Sequence, residues 1–213
     1  MSRSPVLQQW QAGIARGWQA ATRLLGRPQV RVSFDIDDTL ACHHHNCPAE
    51  SSKLPGFIHD WLGEPLRAGT RELIRDLRRQ NCSVWIYTSS GRTPAYIKRW
   101  LLLYGIRVDG VVNNDRHLHM MAEHGLARPP SKHPGLFDID LHVDDSDGVR
   151  AEGIDHGFRV VVVSPQDDNW TQKVLEATAK VHAQLAWHQP QRYGQLTRQS
   201  AEPQWSANQS LGQ

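Results

Sequence analysis

Five short apolar segments recur through the middle of the chain and are separated by stretches with helical spacing. The apolar segments are residues 30–36, 84–88, 108–112, 139–143 and 158–163. Runs of this length, rich in Val and Ile, are typical of strands that are buried on both faces of a parallel sheet. Their alternation with helices predicts an α/β fold, a Rossmann-like doubly wound parallel sheet of about five strands.

Helices are predicted where apolar residues recur three or four positions apart. Longer ones are predicted over residues 66–77, 96–104 and 170–185, and a short one over 149–156. Asp167 or Asp168 is the expected cap of the last long helix. Residues 114–135 lack this period and are predicted to be irregular.

The two ends of the chain differ from its middle. Residues 1–27 carry apolar positions at helical spacing, and no acidic residue precedes Asp35, which predicts a basic amphipathic helix. This helix can pack on its own domain, form a homodimer contact or lie on a membrane surface. Residues 28–187 are predicted to form one catalytic domain with a small insertion at 41–65. Residues 188–213 are polar and rich in Gln, so a disordered or loosely packed tail is predicted.

Composition narrows the class of protein only slightly. A net charge of +2 over 213 residues does not favour nucleic acid as a stable partner. Three cysteines are too few for a disulfide framework, which favours a reducing, cytoplasmic location. No signal peptide and no transmembrane segment are expected.

Acidic and hydroxyl side chains follow three of the predicted strands. They are Asp35, Asp37 and Asp38 after the first strand, Thr88 and Ser89 at the end of the second, and Asp144, Asp145 and Asp147 after the fourth. Lys132 lies on the segment entering the fourth strand. Because ligands of doubly wound sheets bind beyond the carboxyl ends of the strands, these groups are expected to share one crevice.

The expected chemistry follows from charge. Clustered carboxylates repel one another, and a hard cation with oxygen ligands, Mg²⁺ above all, relieves this repulsion while it also binds phosphate. Lys132, Thr88 and Ser89 can hold phosphoryl oxygens, and Arg92 can add a bidentate contact. Residues two apart on a strand point the same way, so Asp37 can reach a leaving oxygen as general acid.

Taken in order, these motifs resemble those of the haloacid dehalogenase superfamily of phosphohydrolases over about residues 29–165. The resemblance implies that Asp35 is the nucleophile and Asp37 the acid/base, with Thr88 and Lys132 as phosphate-binding groups. It also implies a Mg²⁺ site formed by the Asp35 carboxylate, the Asp37 carbonyl and Asp145. Asp144 is then expected just behind Asp145, and the substrate would be a phosphomonoester of unknown identity.

The short 41–65 insertion implies a small cap or none, which counts weakly against a phosphomutase. Asp37 counts against a dehalogenase, which needs neither a second catalytic acid nor a metal. Two further alternatives stay open. One is a regulatory phosphate-binding protein without turnover, and the other is a phosphoacceptor domain of the receiver type, which would not need Asp37 as an acid.

Several other residues could bind a metal or lie close to the site. The segment 42–47, Cys-His-His-His-Asn-Cys, could bind zinc, but its spacing is poor and it is expected instead to line the site entrance. Asp38 and Asp147 are expected to support the loops, and Arg128 or Lys98 could substitute for Lys132. Arg116 and His117 could reach the rim of the site or be solvated.

Overall fold

The structure is a computed structural model that describes residues 29–41, 47–51, 64–125 and 129–199, with only the backbone described from residue 187 onward. The predicted N-terminal helix at 1–27 lies outside the described residues. So do residues 42–46, most of the 41–65 insertion, Arg128 and the tail beyond residue 199.

The predicted α/β fold is confirmed. The five strands are β1 (Arg31–Phe34), β2 (Ser83–Tyr87), β3 (Gly110–Val112), β4 (Leu141–Asp144) and β5 (Val160–Val162). Each neighbouring pair is parallel, and the strand order is β3-β2-β1-β4-β5. The order therefore reverses between β1 and β4, which is the switch point of a doubly wound sheet.

The register of β1 and β4 positions the candidate site. Phe34 pairs with Val143, so Asp35 and Asp144 follow at neighbouring positions on adjacent strands. The Asp35 amide donates to the Val143 carbonyl at 2.9 Å, which continues the pairing past the end of β1. Two carboxylates are thereby fixed side by side at the switch point.

Helices connect successive strands and pack beside the sheet. They are α1 (Thr70–Arg79), α2 (Pro94–Leu103), α3 (Asn114–Glu123), α4 (Asp147–His156) and α5 (Trp170–Gln199), with a 3-10 turn at Pro134–Phe137. The first begins later than predicted, at Thr70, because Leu66 and Arg67 make isolated β-bridges with Ala41 and Ala49.

One prediction about an irregular segment is wrong. Residues 114–123 form α3, whose first turn is capped by Asn113, which accepts a hydrogen bond from the Arg116 amide at 3.2 Å. Only His117 and Met121 are buried on this helix, so its apolar stripe is too narrow to reveal the helical period. The helix α5 runs to Gln199, beyond the end predicted at residue 185, and so includes the first residues of the predicted tail.

One core joins the central strands to α1, α2 and α5. Its members include Phe34, Ile86, Leu101, Trp100, Trp170 and Val174. Trp100 and Trp170 are core residues, whereas Trp85 is half-buried and lies under the Arg31 guanidinium at 4.5 Å. The core leaves the carboxyl ends of β1, β2 and β4 as the polar edge of the sheet.

The structure describes two of the three cysteines, and they differ in oxidation state. Cys47 is disulfide-bonded, contrary to the expectation of reduced cysteines, and a sulfur in a disulfide is not a thiolate ligand for zinc. Cys82 is free and buried.

Among the residues with described structure, no helix has both the length and the apolar character needed to cross a membrane.

Candidate active site

Asp35 and Lys132 form the centre of the site. The Asp35 side chain follows directly after β1, and Lys132 Nζ lies 3.0 Å from its Oδ1. Lys132 is 3% exposed and Asp35 is 7% exposed, so the pair is largely shielded from water. Burial alone would lower the pKa of Lys132, but the charges of Asp35 and Asp144 outweigh burial and raise it. Lys132 is therefore a permanent cation beside the Asp35 carboxylate.

Asp144 is held on every side by hydrogen bonds. Its Oδ2 lies 2.5 Å from Lys132 Nζ and 3.0 Å from His142 Nε2, and its Oδ1 accepts from the Ser146 amide at 2.9 Å. Burial works to raise the pKa of Asp144, but the hydrogen bond from His142 and the charge of Lys132 hold the pKa well below its usual range. Asp144 therefore anchors Lys132 as an ionised group.

His142 is a member of this network that sequence reasoning missed. It lies inside β4, is fully buried, and pairs in register with Ser33. Ser33 Oγ lies 2.8 Å from His142 Nδ1, so the imidazole bridges β1 and Asp144. Burial lowers the pKa of His142 and keeps the ring neutral. The only sequence signal is a histidine within an otherwise apolar strand.

Asp145 completes an acidic cluster with Asp35 and Asp144. One potential ligand atom from each residue lies within 4.8 Å of the other two. Burial raises the pKa of Asp145, and the Asp144 charge acts in the same direction. Burial and the Asp144 charge likewise raise the pKa of Asp35, against the opposing effect of Lys132. The cluster therefore carries more negative charge than its own cation balances.

These residues fit a divalent cation. Three carboxylates against the single ammonium of Lys132 leave an excess of two negative charges when all are ionised. Asp35 Oδ1 is buried and accepts no hydrogen bond of good geometry, although Lys132 is near. All-oxygen donors of this kind are those that Mg²⁺ prefers. Because Asp144 is already saturated by its partners, Asp35 and Asp145 are the better placed direct ligands.

Asp37 points into a different ion-pair cluster. Arg92 donates to both of its carboxylate oxygens, at 2.9 Å and 2.8 Å, and also to both oxygens of Glu64, at 2.7 Å and 2.6 Å. Asp37 is 44% exposed and Arg92 is 19% exposed. The predicted phosphate contact from Arg92 is therefore replaced here by two carboxylate contacts.

The hydroxyl groups after β2 occupy a tight turn. Thr88 is fully buried, and its Oγ1 accepts from the Ser90 amide and lies 3.2 Å from Ser90 Oγ. Ser89 is exposed. Thr88 is at the carboxyl end of β2, next to β1 in the sheet, so it borders the same edge as Asp35. Its position agrees with a phosphate-binding role, whereas the Ser89 hydroxyl faces solvent.

A second set of hydrogen-bonded residues, separate from the acidic cluster, supports the segment that carries Lys132. Tyr87 Oη lies 2.7 Å from His117 Nδ1 and accepts from the His133 amide at 2.8 Å. His117 is 5% exposed, so it is neither solvated nor at the rim. Sequence reasoning missed this role because the three residues are far apart in the chain. Together they fix the backbone next to Lys132.

The remaining predicted residues lie around the site without entering the cluster. Asp38 has a left-handed φ of 55° and its amide donates to the Ala41 carbonyl at 3.1 Å, so it helps to turn the chain after Asp37. Asp147 opens α4 and pairs with Arg150. Arg116 stacks on Trp85 and Phe137, and Lys98 is exposed on α2.

Comparisons with known proteins found neither a matching family model nor a matching curated protein. Several solved structures are similar to part of the chain, including the following two. One is a predicted HAD-like family hydrolase from Porphyromonas gingivalis, at 12% identity over 66% of this chain and 94% of that one, with a TM-score of 0.34. The other is a proposed 3-deoxy-D-manno-octulosonate 8-phosphate phosphatase from Vibrio cholerae, at 12% identity over 75% of this chain and 86% of that one, with a TM-score of 0.36.

Proposed function

We propose that this protein is a Mg²⁺-dependent phosphatase that hydrolyses a phosphomonoester through a phosphorylated Asp35. One observation carries the proposal: a buried carboxylate at the switch point lies 3.0 Å from a buried lysine and belongs to a cluster of three carboxylates. A site that is so dense in fixed charge suits phosphoryl transfer, where catalysis consists mainly of positioning and of electrostatic stabilisation.

The metal would be held by Asp35 and Asp145, with Asp144 as support. It would supply positive charge to the phosphoryl oxygens and orient the group in line with the nucleophile. Lys132 would stabilise the same oxygens, and Thr88 would contact one of them from the neighbouring strand. The metal, Lys132 and Thr88 together would account for the binding of a dianionic phosphate in a site that is otherwise acidic.

The chemistry has two steps. A carboxylate oxygen of Asp35 attacks phosphorus, an acyl phosphate bond forms, and the bond from phosphorus to the leaving oxygen breaks. Asp37 protonates that leaving oxygen. A water molecule then attacks phosphorus and gives its proton to Asp37, and the acyl phosphate is cleaved to release inorganic phosphate and the Asp35 carboxylate.

A regulatory phosphate-binding protein without turnover is the second candidate, and one observation favours it. Arg92 binds both oxygens of Asp37, which stabilises the ionised form and leaves no proton for a leaving group. In such a protein the acidic cluster would bind Mg²⁺ and phosphate while Asp37 stayed with Arg92.

The test is a screen of the full-length protein against an aryl phosphate and a panel of phosphometabolites with Mg²⁺. Asp35→Asn is expected to abolish hydrolysis, because an amide is not a nucleophile, while it preserves the size of the side chain. Asp155→Asn, at an exposed position on α4, is the matched control and should retain full activity. A folded Asp35→Asn variant with undiminished hydrolysis would disprove the mechanism. Binding of Mg²⁺ and a phosphate mimic without any turnover would favour the regulatory alternative.

Two further predictions need separate experiments. We propose a cytoplasmic location, against which the disulfide at Cys47 counts, and cell fractionation would test the location. Self-association through residues 1–27 would be tested by comparing the mass in solution of the full chain and of a chain lacking them.

A further inference from the structure

A groove rimmed by four arginines lies along α1. It has a volume of about 380 Å³, and its wall combines Arg71, Arg75 and Arg78 of α1 with Arg107 from the segment between α2 and β3. The buried side chains of Ile74 and Ile106 also line it. The groove therefore offers an apolar base below a cationic rim.

The arginines of α1 share one face because they are four and then three positions apart. Like charges at these spacings destabilise a helix by a few tenths of a kcal/mol per pair, so their alignment has a cost. Arg78 is compensated by Asp109 Oδ2 at 2.6 Å and also donates to the Arg107 carbonyl at 2.9 Å. Within the part of the chain that the structure describes, the guanidinium groups of Arg71, Arg75 and Arg107 have no ion-pair partner.

The groove is separate from the acidic site in place and in charge. It shares no lining residue with the cluster of Asp35, Asp144 and Asp145. Arg107 precedes β3 and so lies toward the amino ends of the strands, whereas Asp35 follows β1 at the carboxyl ends. A ligand bound here would not contact Asp35.

We propose that this groove binds a small organic diphosphate with an apolar or aromatic body, the chemical class to which nucleoside diphosphates belong. Guanidinium groups match phosphate oxygens in a planar, bidentate geometry, and three uncompensated ones suit a ligand with more than one negative charge. The base formed by Ile74 and Ile106 provides contact for the apolar body. A volume of about 380 Å³ lies within the range of pockets that hold such molecules.

The experiment is isothermal titration calorimetry of the full-length protein with adenosine diphosphate at low salt in the presence of EDTA. Without a divalent cation the acidic site repels the ligand, so the heat reports on the groove. Arg75→Gln and Arg107→Gln are each expected to weaken binding about tenfold, the loss that corresponds to one charged hydrogen bond. Arg79→Gln is the matched control, because Arg79 lies on the same helix outside the groove and pairs with Asp76.

Asp35→Asn should bind adenosine diphosphate as the unmodified protein does, which separates this result from the outcome for the proposed phosphatase. Thermal melts verify that each variant is folded. The proposal is overturned if no binding occurs at millimolar concentration or if both groove variants bind normally. It is also overturned if adenosine or pyrophosphate alone binds as tightly, or if single-stranded RNA binds far more tightly through the same arginines.

Discussion

Arg92 binds Asp37 through two parallel hydrogen bonds, with Nη1 at 2.9 Å from Oδ2 and Nη2 at 2.8 Å from Oδ1. The same guanidinium binds Glu64, the residue next to the end of the 41–65 insertion. Arg92 thereby connects the proposed acid/base to the segment that lies between the first strand and α1. Asp37 can protonate a leaving group only after this pairing loosens.

Arg92→Gln is expected to raise the ratio of alkyl phosphate to aryl phosphate hydrolysis by about threefold to tenfold. Alkyl leaving groups need a proton from Asp37, whereas a nitrophenolate leaves without one. Steady-state rates on both substrates measure the ratio. Arg99→Gln is the control: Arg99 is exposed on α2, its guanidinium lies 5.9 Å from the centre of the Tyr96 ring, and its loss should change neither rate. Equal losses on both substrates would show instead that Arg92 holds Asp37 in its working position.

Lys132→Met should destabilise the fold strongly. Lys132 is paired with two buried carboxylates, and removal of one partner of a buried pair costs roughly 3–5 kcal/mol because the remaining charge is uncompensated. Urea unfolding, with and without Mg²⁺, measures the free energy of unfolding. Mg²⁺ should restore part of the loss, since it neutralises the same carboxylates.

The control for this change is Lys173→Met. Lys173 is 55% exposed and pairs with Asp167, so its loss should cost less than about 1 kcal/mol. If Lys132→Met were as stable as the unmodified protein, Asp35 and Asp144 would have to be protonated or separated in solution.

Asp144 and Asp145 should respond differently to substitution. Asp145→Ala removes a carboxylate whose pKa is raised by burial and by the Asp144 charge, so the metal-free protein should be at least as stable as before. The Asp145→Ala protein should also lose the stabilisation that Mg²⁺ gives.

Asp144→Asn breaks contacts to Lys132 and His142 and should lower the melting temperature without Mg²⁺. Thermal melts over a Mg²⁺ series measure both effects, and the reverse pattern would exchange the two roles.

The buried histidines predict a pH dependence of stability. Burial lowers the pKa of His117, so the folded state favours the neutral ring. Its contribution is complete above a pH of about 6.5, the value for the unfolded chain, and is lost as the pH falls from there toward the lowered pKa. The free energy of unfolding should fall by up to about 1.4 kcal/mol per pH unit for this group.

His117→Gln should reduce that slope, whereas His119→Gln, on the exposed face of α3, should leave it unchanged. Urea unfolding at pH 5, 6 and 7 measures the slopes. An unaltered slope in His117→Gln would mean that other groups control acid unfolding.

The sheet was predictable because its strands are continuous apolar runs ending in polar residues. The buried residues Val32 and Phe34 precede Asp35 in β1. In β4, the buried residues Leu141 and Val143 precede Asp144 and Asp145. This pattern sets both the parallel sheet and the edge at which the carboxylates meet. Thr88 and Lys132 could be assigned to the same edge for the same reason.

Contacts between distant polar residues could not be predicted. His142 on β4 contacts Ser33 on β1, 109 residues earlier in the chain, and Arg92 pairs with Glu64, 28 residues earlier. The helix α3 was not predicted because His117 and Met121 are its only buried residues, which is too few to show a helical period. The helical stretch at 188–199 is polar, and its sequence carries no apolar stripe to indicate continuation of α5.

Arg67 connects the first motif of the site to residues that are synthesised about a hundred positions later. Its amide donates to the Leu40 carbonyl just after the acidic motif, while its buried guanidinium binds the carbonyls of Ser164 and Asp167, about a hundred residues further on. Asp144 likewise comes more than a hundred residues after Asp35. On the ribosome, the segment with the proposed nucleophile therefore emerges first, but it gains its buried partners only when β4, β5 and the start of α5 have followed. A nascent chain stopped before residue 164 would carry the whole first motif without the contacts that hold it in place.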